Sequence, residues 1–281
     1  MTQSSTGLSV FLYSSLDTFD LTQGPPALAM DLCERAGASL TGVLYNLESN
    51  APASYESRTA LQVQEFSEAR EAKNAQNADA LRGEAARRGV DIQVITSLDH
   101  SHGVSGCLTD RARLHDLSIM GVDRHGLLSE RVLAEHMLFE TGRPLLIAPK
   151  HFNKQFSPRR IVAAWDNSRS AARALGDALS VFRGRQEVVL LTLGGEKSIS
   201  TSIDDAQMVA ALERRGIRAS SARQEVGART IGKALQSLAL ESGGDVLVMG
   251  GYGHSRLREF FLGGATVDVL DSPEMPILLS H

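Results

Sequence analysis

The feature that most limits what this chain can become is an internal echo. Asp116-Leu117-Ser118-Ile119-Met120-Gly121 returns 129 positions later as Asp245-Val246-Leu247-Val248-Met249-Gly250. Upstream, Arg87-Arg88-Gly89-Val90 returns after 127 positions as Arg214-Arg215-Gly216-Ile217. Downstream, Pro144-Leu145-Leu146-Ile147 returns after 132 as Pro276-Ile277-Leu278-Leu279. Three matches in one order, with small drifts in spacing, identify a tandem duplication. The stretch HFNKQFSP at 151–158 is polar and ends in proline, so it reads as a linker. The repeats are therefore placed at 1–150 and 158–281. Two domains of about 140 residues each fall within the usual size range.

Within the second repeat, short apolar runs alternate with helical spacing. Residues 160–165 form a run long enough for a buried strand and too short for a helix. Asp166-Asn167-Ser168 punctuates, and 170–182 has helical apolar spacing. A strand follows at 187–193, then a helix at 205–215 closed by Gly216. The run 217–226 is more polar and reads as a strand near an edge, and 230–241 reads as a helix. Residues 245–249 and 276–279 complete the set as buried strands. Such alternation predicts an α/β fold, a parallel sheet covered by helices on both faces. Open sheets of this kind take ligands beyond the carboxyl ends of strands, where the strand order reverses.

The stretch MGGYGHSRLREFFLGGAT at 249–266 leaves the carboxyl end of one such strand. Gly250, Gly253 and Gly263 are spaced G-x2-G-x9-G, with Gly251 and Gly264 beside the outer two. A residue without Cβ lets its backbone N–H approach a phosphate closely and tolerates positive φ. Gly264, Ala265 and Thr266 read as the opening of a helix, whose N-terminus offers free N–H groups and a positive dipole end. Thr266 would add a hydroxyl, and Arg256 and Arg258 would add charge, although two such arginines equally suit a solvated face. Phe260-Phe261-Leu262 is expected to anchor the loop in the core.

The glycine spacing after an Asp-x-x-x-Met strand resembles the nucleotide-binding signature of the universal stress protein family. The closing Pro276-Ile277-Leu278-Leu279 and the opening Ile161-Val162-x3-Asp166-x-Ser168 also resemble that family, so the likeness spans the second repeat. The duplication makes the chain similar to the family's tandem members. The resemblance implies two doubly wound, five-stranded, Rossmann-like domains and ATP at the glycine loop. Asp166 would then lie on the adenine or ribose side, and Leu193 would take the place of the family's valine against the base. Gly250, Gly253 and Gly263 would cradle the phosphates through their backbone. The chain departs from the pattern at Gly264, where the family has serine or threonine, and a hydroxyl contact is lost there. Asp166 and Ser168 equally suit capping of the next helix, and the two roles coexist.

The first repeat departs further. By the same offset Arg124 replaces Gly253, Ala134 replaces Gly263 and Glu135 replaces Gly264. A carboxylate at the helix start would repel phosphate. The strand at 10–13 runs into Ser14-Ser15, with no aspartate to match Asp166. This half is expected to bind no nucleotide.

A net charge of −4 and a pI near 6.1 argue against nucleic acid as a partner. Without a polybasic block, or an apolar run longer than stretches such as 188–191, no membrane is expected. The start MTQSSTGLSV lacks a signal-peptide pattern, and two cysteines, Cys33 and Cys107, suit a reducing cytoplasm. His100, His102, Cys107 and His115 match no closed zinc spacing, and Gly194-Gly195-Glu196-Lys197-Ser198 fails the P-loop pattern at its glutamate. No metal site is expected. No nucleophile with a paired base is identifiable, so at most slow ATP hydrolysis is expected. The functional expectation is a cytoplasmic stress-response binding or signalling module holding ATP in its second repeat. A nucleotide-free protective scaffold is the rival. By family analogy the repeats would pair as an intramolecular pseudo-dimer through the strands near Leu145 and Ile277, with a homodimer as a further level.

Overall fold

The computed structural model of the chain describes residues 7–47, 60–98, 103–122, 129–184, 186–194, 202–251 and 264–281. Its first half runs β1 (Ser9–Ser14), α1 (Gly24–Ala36), β2 (Ser39–Leu44), α2 (Ala60–Arg88), β3 (Ile92–Ile95), α3 (Val104–Ala112), β4 (Leu117–Met120), α4 (Glu130–Glu140) and β5 (Leu145–Ile147). The second runs β6 (Arg160–Ala164), α5 (Arg169–Val181), β7 (Glu187–Gly194), α6 (Asp205–Arg214), β8 (Arg218–Glu225), α7 (Ile231–Glu241), β9 (Val246–Gly250), α8 (Gly264–Asp271) and β10 (Ile277–Ser280). The strands and helices expected in the second half are all present, with bounds shifted by a residue or two.

The ten strands among the described residues join one sheet in the order β3-β2-β1-β4-β5-β10-β9-β6-β7-β8. Read outward from the centre, each half has the same doubly wound order. Neighbours within a half are parallel, as expected of strands buried on both faces. The halves meet antiparallel, with Leu145 opposite Leu279, Leu146 opposite Leu278 and Ile147 opposite Ile277. Two hydrophobic clusters, one per face of the sheet, each draw residues from both halves. Leu146 and Leu278 belong to one, and Ile147, Ile277 and Leu279 to the other. The β8 edge is largely exposed, which explains the polar sequence of that strand.

Local chemistry accounts for the repeated motifs. Both Arg-Arg-Gly stretches close a helix: Gly89 (φ 68°) follows α2, and Gly216 (φ 77°) follows α6 one residue beyond its cap. Val90 N–H then bonds Ala85 O at 2.9 Å, and Ile217 N–H bonds Leu212 O at 3.1 Å. Glycine adopts this left-handed turn without strain, and it satisfies carbonyls the helix leaves open. The linker is packed rather than free. Phe156 is buried between Phe152 and Phe182, with ring centroids 6.2 and 5.9 Å away, and its N–H donates to Asp31 Oδ2 at 2.7 Å. It thereby ties α1 of the first half to the end of α5 in the second.

Candidate ligand site at the strand ends

The strand order of the second half reverses between β6 and β9, and the carboxyl ends of β6, β7 and β9 adjoin there. Asp166 lies just past β6. Its Oδ1 accepts the Ser168 N–H at 2.8 Å, and Ser168 Oγ accepts the Ala171 N–H at 3.0 Å. Ser168 is thus the N-cap of α5, and Asp166 braces the cap from outside. Capping is the observed role of Ser168, and it leaves Asp166 at the mouth. Leu193 is buried near the end of β7. Beside it, the Glu225 carboxylate lies so close over Gly194 that a Cβ there would collide with it.

Gly250 ends β9 and meets a packing need besides the one expected. It is not among the described residues with positive φ. A Cβ on it would stand 2.6 Å from Ser170 Cβ and 2.7 Å from the Ser170 carbonyl carbon, so the first turn of α5 sits directly on this glycine. Close approach, not backbone freedom, requires glycine here. Gly251 is gripped similarly. A Cβ would stand 2.7 Å from Leu138 Cδ2 of α4, its N–H donates to Ser280 O at 2.7 Å, and its carbonyl lies 3.1 Å from His281 Nδ1. That imidazole meets the Phe139 ring edge-on, with centroids 4.9 Å apart. Sequence spacing gave no hint that α4 of the first half would hold the start of the glycine loop.

Gly253 and Gly263 lie outside the described residues, as do Arg256, Arg258, Phe260, Phe261 and Leu262. Gly264 is exposed at the start of α8, and among the described residues a Cβ on it would meet nothing within 4 Å. Ala265 is half-buried. Thr266 is buried with Val269 and Leu270, on the face of α8 turned into the protein. Asp268 bonds α8 to α7, its Oδ2 accepting the Gly232 N–H at 3.3 Å. Across the seam, Arg131 of α4 pairs with Asp271 at 2.7 Å.

The first half presents a different mouth. Val10 pairs with Leu117 as Ile161 pairs with Val246, so Ser15 stands where Asp166 stands. Its Oγ donates to Asn46 Oδ1 at 2.8 Å. Gly121, in the place of Gly250, faces Pro25, whose Cγ would lie 3.2 Å from a Cβ. The linker then straps the start of α1: Gly24 N–H donates to Phe152 O at 2.8 Å, and a Cβ on Gly24 would stand 2.9 Å from Lys150 O. One expectation needs correction. Glu135 does not open a helix; it lies in the middle of α4 and pairs with Arg131 at 3.2 Å. The drift in offset puts Ser129 at the N-cap and Glu130 in the first turn instead. Ala134 is a core residue, and Arg124 lies outside the described residues.

His100, His102 and residues 195–198 also lie outside the described residues. His115 has other work. Its Nδ1 lies 2.6 Å from Ser9 Oγ, its ring stacks obliquely 5.6 Å from Phe11, and burial pushes its pKa down. The unfolded chain takes up this proton at the ordinary histidine value, the folded chain only at lower pH. Stability should therefore decline as pH falls from about 7 toward 5. In His115→Gln that decline should be shallower, as read from denaturant midpoints across the same range. Cys33 is buried, which pushes its thiol up to about 12 and leaves it unreactive. No cluster of three or more metal-ligating side chains occurs among the described residues. No helix among them is long and apolar enough to cross a membrane.

No protein-family model matches the chain, and no curated protein matches it. Solved structures do. A universal stress protein from Archaeoglobus fulgidus DSM 4304 superposes with a TM-score of 0.67 at 15% identity, covering 97% of this chain and 95% of that one. The fold is that of the universal stress proteins. A putative universal stress protein from Pseudomonas aeruginosa UCBPP-PA14 superposes with a TM-score of 0.56 at 13% identity, covering 97% and 92% of the two chains. A protein of unknown function from Pseudomonas aeruginosa PAO1 gives 0.56 at 14%, with the same coverage. The likeness to universal stress proteins thus runs through both halves of the sheet. At such identities it concerns the path of the backbone, and the site must be judged on its own residues.

Proposed function

We propose that this chain is a tandem universal stress protein, two repeats of one domain at 1–150 and 158–281, whose second repeat binds ATP. The observation that carries the reading is the gathering of Asp166, Leu193 and Gly250 at adjoining strand ends where the strand order reverses. Asp166 would accept hydrogen bonds from the ribose or base, and Leu193 would offer an apolar wall. Gly250, Gly253 and Gly263 would present backbone N–H groups to the phosphates. The start of α8, at Gly264, Ala265 and Thr266, would add its dipole and free N–H groups. The first repeat, its helix start strapped by the linker, binds no nucleotide and serves as a built-in partner. The β5–β10 pairing supports reading the two repeats as an intramolecular pseudo-dimer, with a homodimer as a further level. The protein works in the cytoplasm as a stress-response module whose contacts follow its ATP state.

Gly264 favours a second reading, a nucleotide-free scaffold, because no hydroxyl stands where a phosphate contact would want one. A single preparation separates the two. Protein purified without added nucleotide is denatured, and the supernatant is chromatographed for adenine nucleotides, followed by ATP titration in a calorimeter. Released ATP, or saturable binding below millimolar concentration, supports the module. An empty supernatant with a flat titration supports the scaffold.

A further inference from the structure

Trp165 is the chain's sole tryptophan and is buried at the end of β6. Its backbone N–H donates to Leu191 O at 2.8 Å, and its indole Nε1–H donates to Asn167 Oδ1 at 3.0 Å. Asn167 has φ 61°, the one non-glycine residue in the left-handed region among those described. Asp166 lies between these two partners, with its Oδ1 on the Ser168 N–H at 2.8 Å. The helix cap does not need this bridge, since Ser168 Oγ already accepts the Ala171 N–H. A turn alone would not need it either, because glycine takes positive φ without strain. What the bridge adds is a fixed orientation of the peptide planes on both sides of Asp166.

We propose that Trp165 and Asn167 are positioning residues that clamp the Asp166 carboxylate in its ligand-facing orientation. The clamp rests on the proposed function only for the identity of the ligand. Two bonds from rigid neighbours hold one short loop: Trp165 is locked into the ladder with β7, and Ser168 into α5. A carboxylate already held in place loses less freedom on binding, and that saving appears as affinity. Asparagine suits position 167 because it accepts the indole proton and tolerates the left-handed conformation better than most side chains.

The test uses the full chain with Asn167→Gly, Trp165→Phe and the double variant. Asn167→Gly keeps the turn and deletes the acceptor; Trp165→Phe keeps an aromatic ring and deletes the donor. Melting temperature, ATP titration and amide exchange at Ser168 are measured together. With the clamp acting as described, Asn167→Gly melts with the wild type and its Ser168 amide exchanges faster. Its ATP dissociation constant rises roughly five- to tenfold, about the worth of one ordinary hydrogen bond. The double variant should be no weaker than the worse single, because both break one bond. Wild-type exchange at Ser168 in Asn167→Gly overturns the clamp, whatever Trp165→Phe does to folding. If no form binds ATP, the nucleotide reading fails while faster exchange in Asn167→Gly still upholds the clamp.

Discussion

Leu278→Asp is expected to leave the chain largely unfolded at temperatures where the wild type is intact. Leu278 is fully buried on β10, opposite Leu146 across the antiparallel seam and beside Val248 on β9. It belongs to the cluster that also holds Leu146, Phe156 and Val248. An ionised carboxylate there would lose its hydration with no cation placed to meet it, which costs several kcal/mol after relaxation. Loss of the leucine's own burial adds about 2 kcal/mol. Against a total stability of about 5–15 kcal/mol, the sum is enough to remove the native state or nearly so. Leu278→Ala, which keeps the site apolar, should cost about 2–5 kcal/mol and still fold. Because both core clusters cross the seam, the alanine variant should unfold in a single transition by circular dichroism and by Trp165 fluorescence alike. A split curve, with one step at the wild-type midpoint, would mean that the halves are independent units.

Gly250→Val has the second largest expected effect, and it falls on the site. A Cβ at this position would enter the first turn of α5 at Ser170, and the contact is with backbone as well as side chain. A backbone cannot swing aside as a long side chain can. The turn carrying the Ser168 cap must shift, and the Asp166 carboxylate that rests on the Ser168 N–H shifts with it. Overpacking of this kind costs about 1–3 kcal/mol of stability. ATP affinity should fall by at least tenfold, since the loop and the carboxylate move together. Gly264→Ser is the informative contrast. No described residue comes within 4 Å of a Cβ at Gly264, so the variant should fold normally and offer a hydroxyl at the start of α8. It should tighten ATP severalfold, in line with one added hydrogen bond. Unchanged ATP affinity in both variants would place the ligand elsewhere and return the glycines to the role of a tight turn.

Much of this was legible in one dimension. The repeated Asp-x-x-x-Met-Gly and Arg-Arg-Gly stretches mark strands and helix ends that hold equivalent places in the two halves. The period of apolar residues separated strands of four to eight residues from helices of eight to thirteen in the second half. Both signals are local: a strand buried on two faces must be continuously apolar, and a helix on one face cannot be. The Gly250 position was legible too, but for a reason that was not. Spacing suggested access for a ligand, whereas the tight contact with Ser170 shows that helix packing alone already demands glycine there.

Offset arithmetic failed at Glu135 because the connection before α4 differs in length from the one before α8, and a loop absorbs such drift without disturbing the strands on either side. Nor does a pattern of apolar residues say which distant segments touch. The strap of Phe152 over Gly24, the indole bond from Trp165 to Asn167 and the grip of Leu138 on Gly251 join groups that no periodicity relates. By itself the sequence determined the elements of the second half, their order and the internal echo, since each depends on neighbours along the chain. The tertiary structure decided the register in which two halves share one sheet and two cores, and that the first turn of α5 packs directly on Gly250. Those outcomes depend on packing between residues scores of positions apart, where shape and not pattern selects the partner.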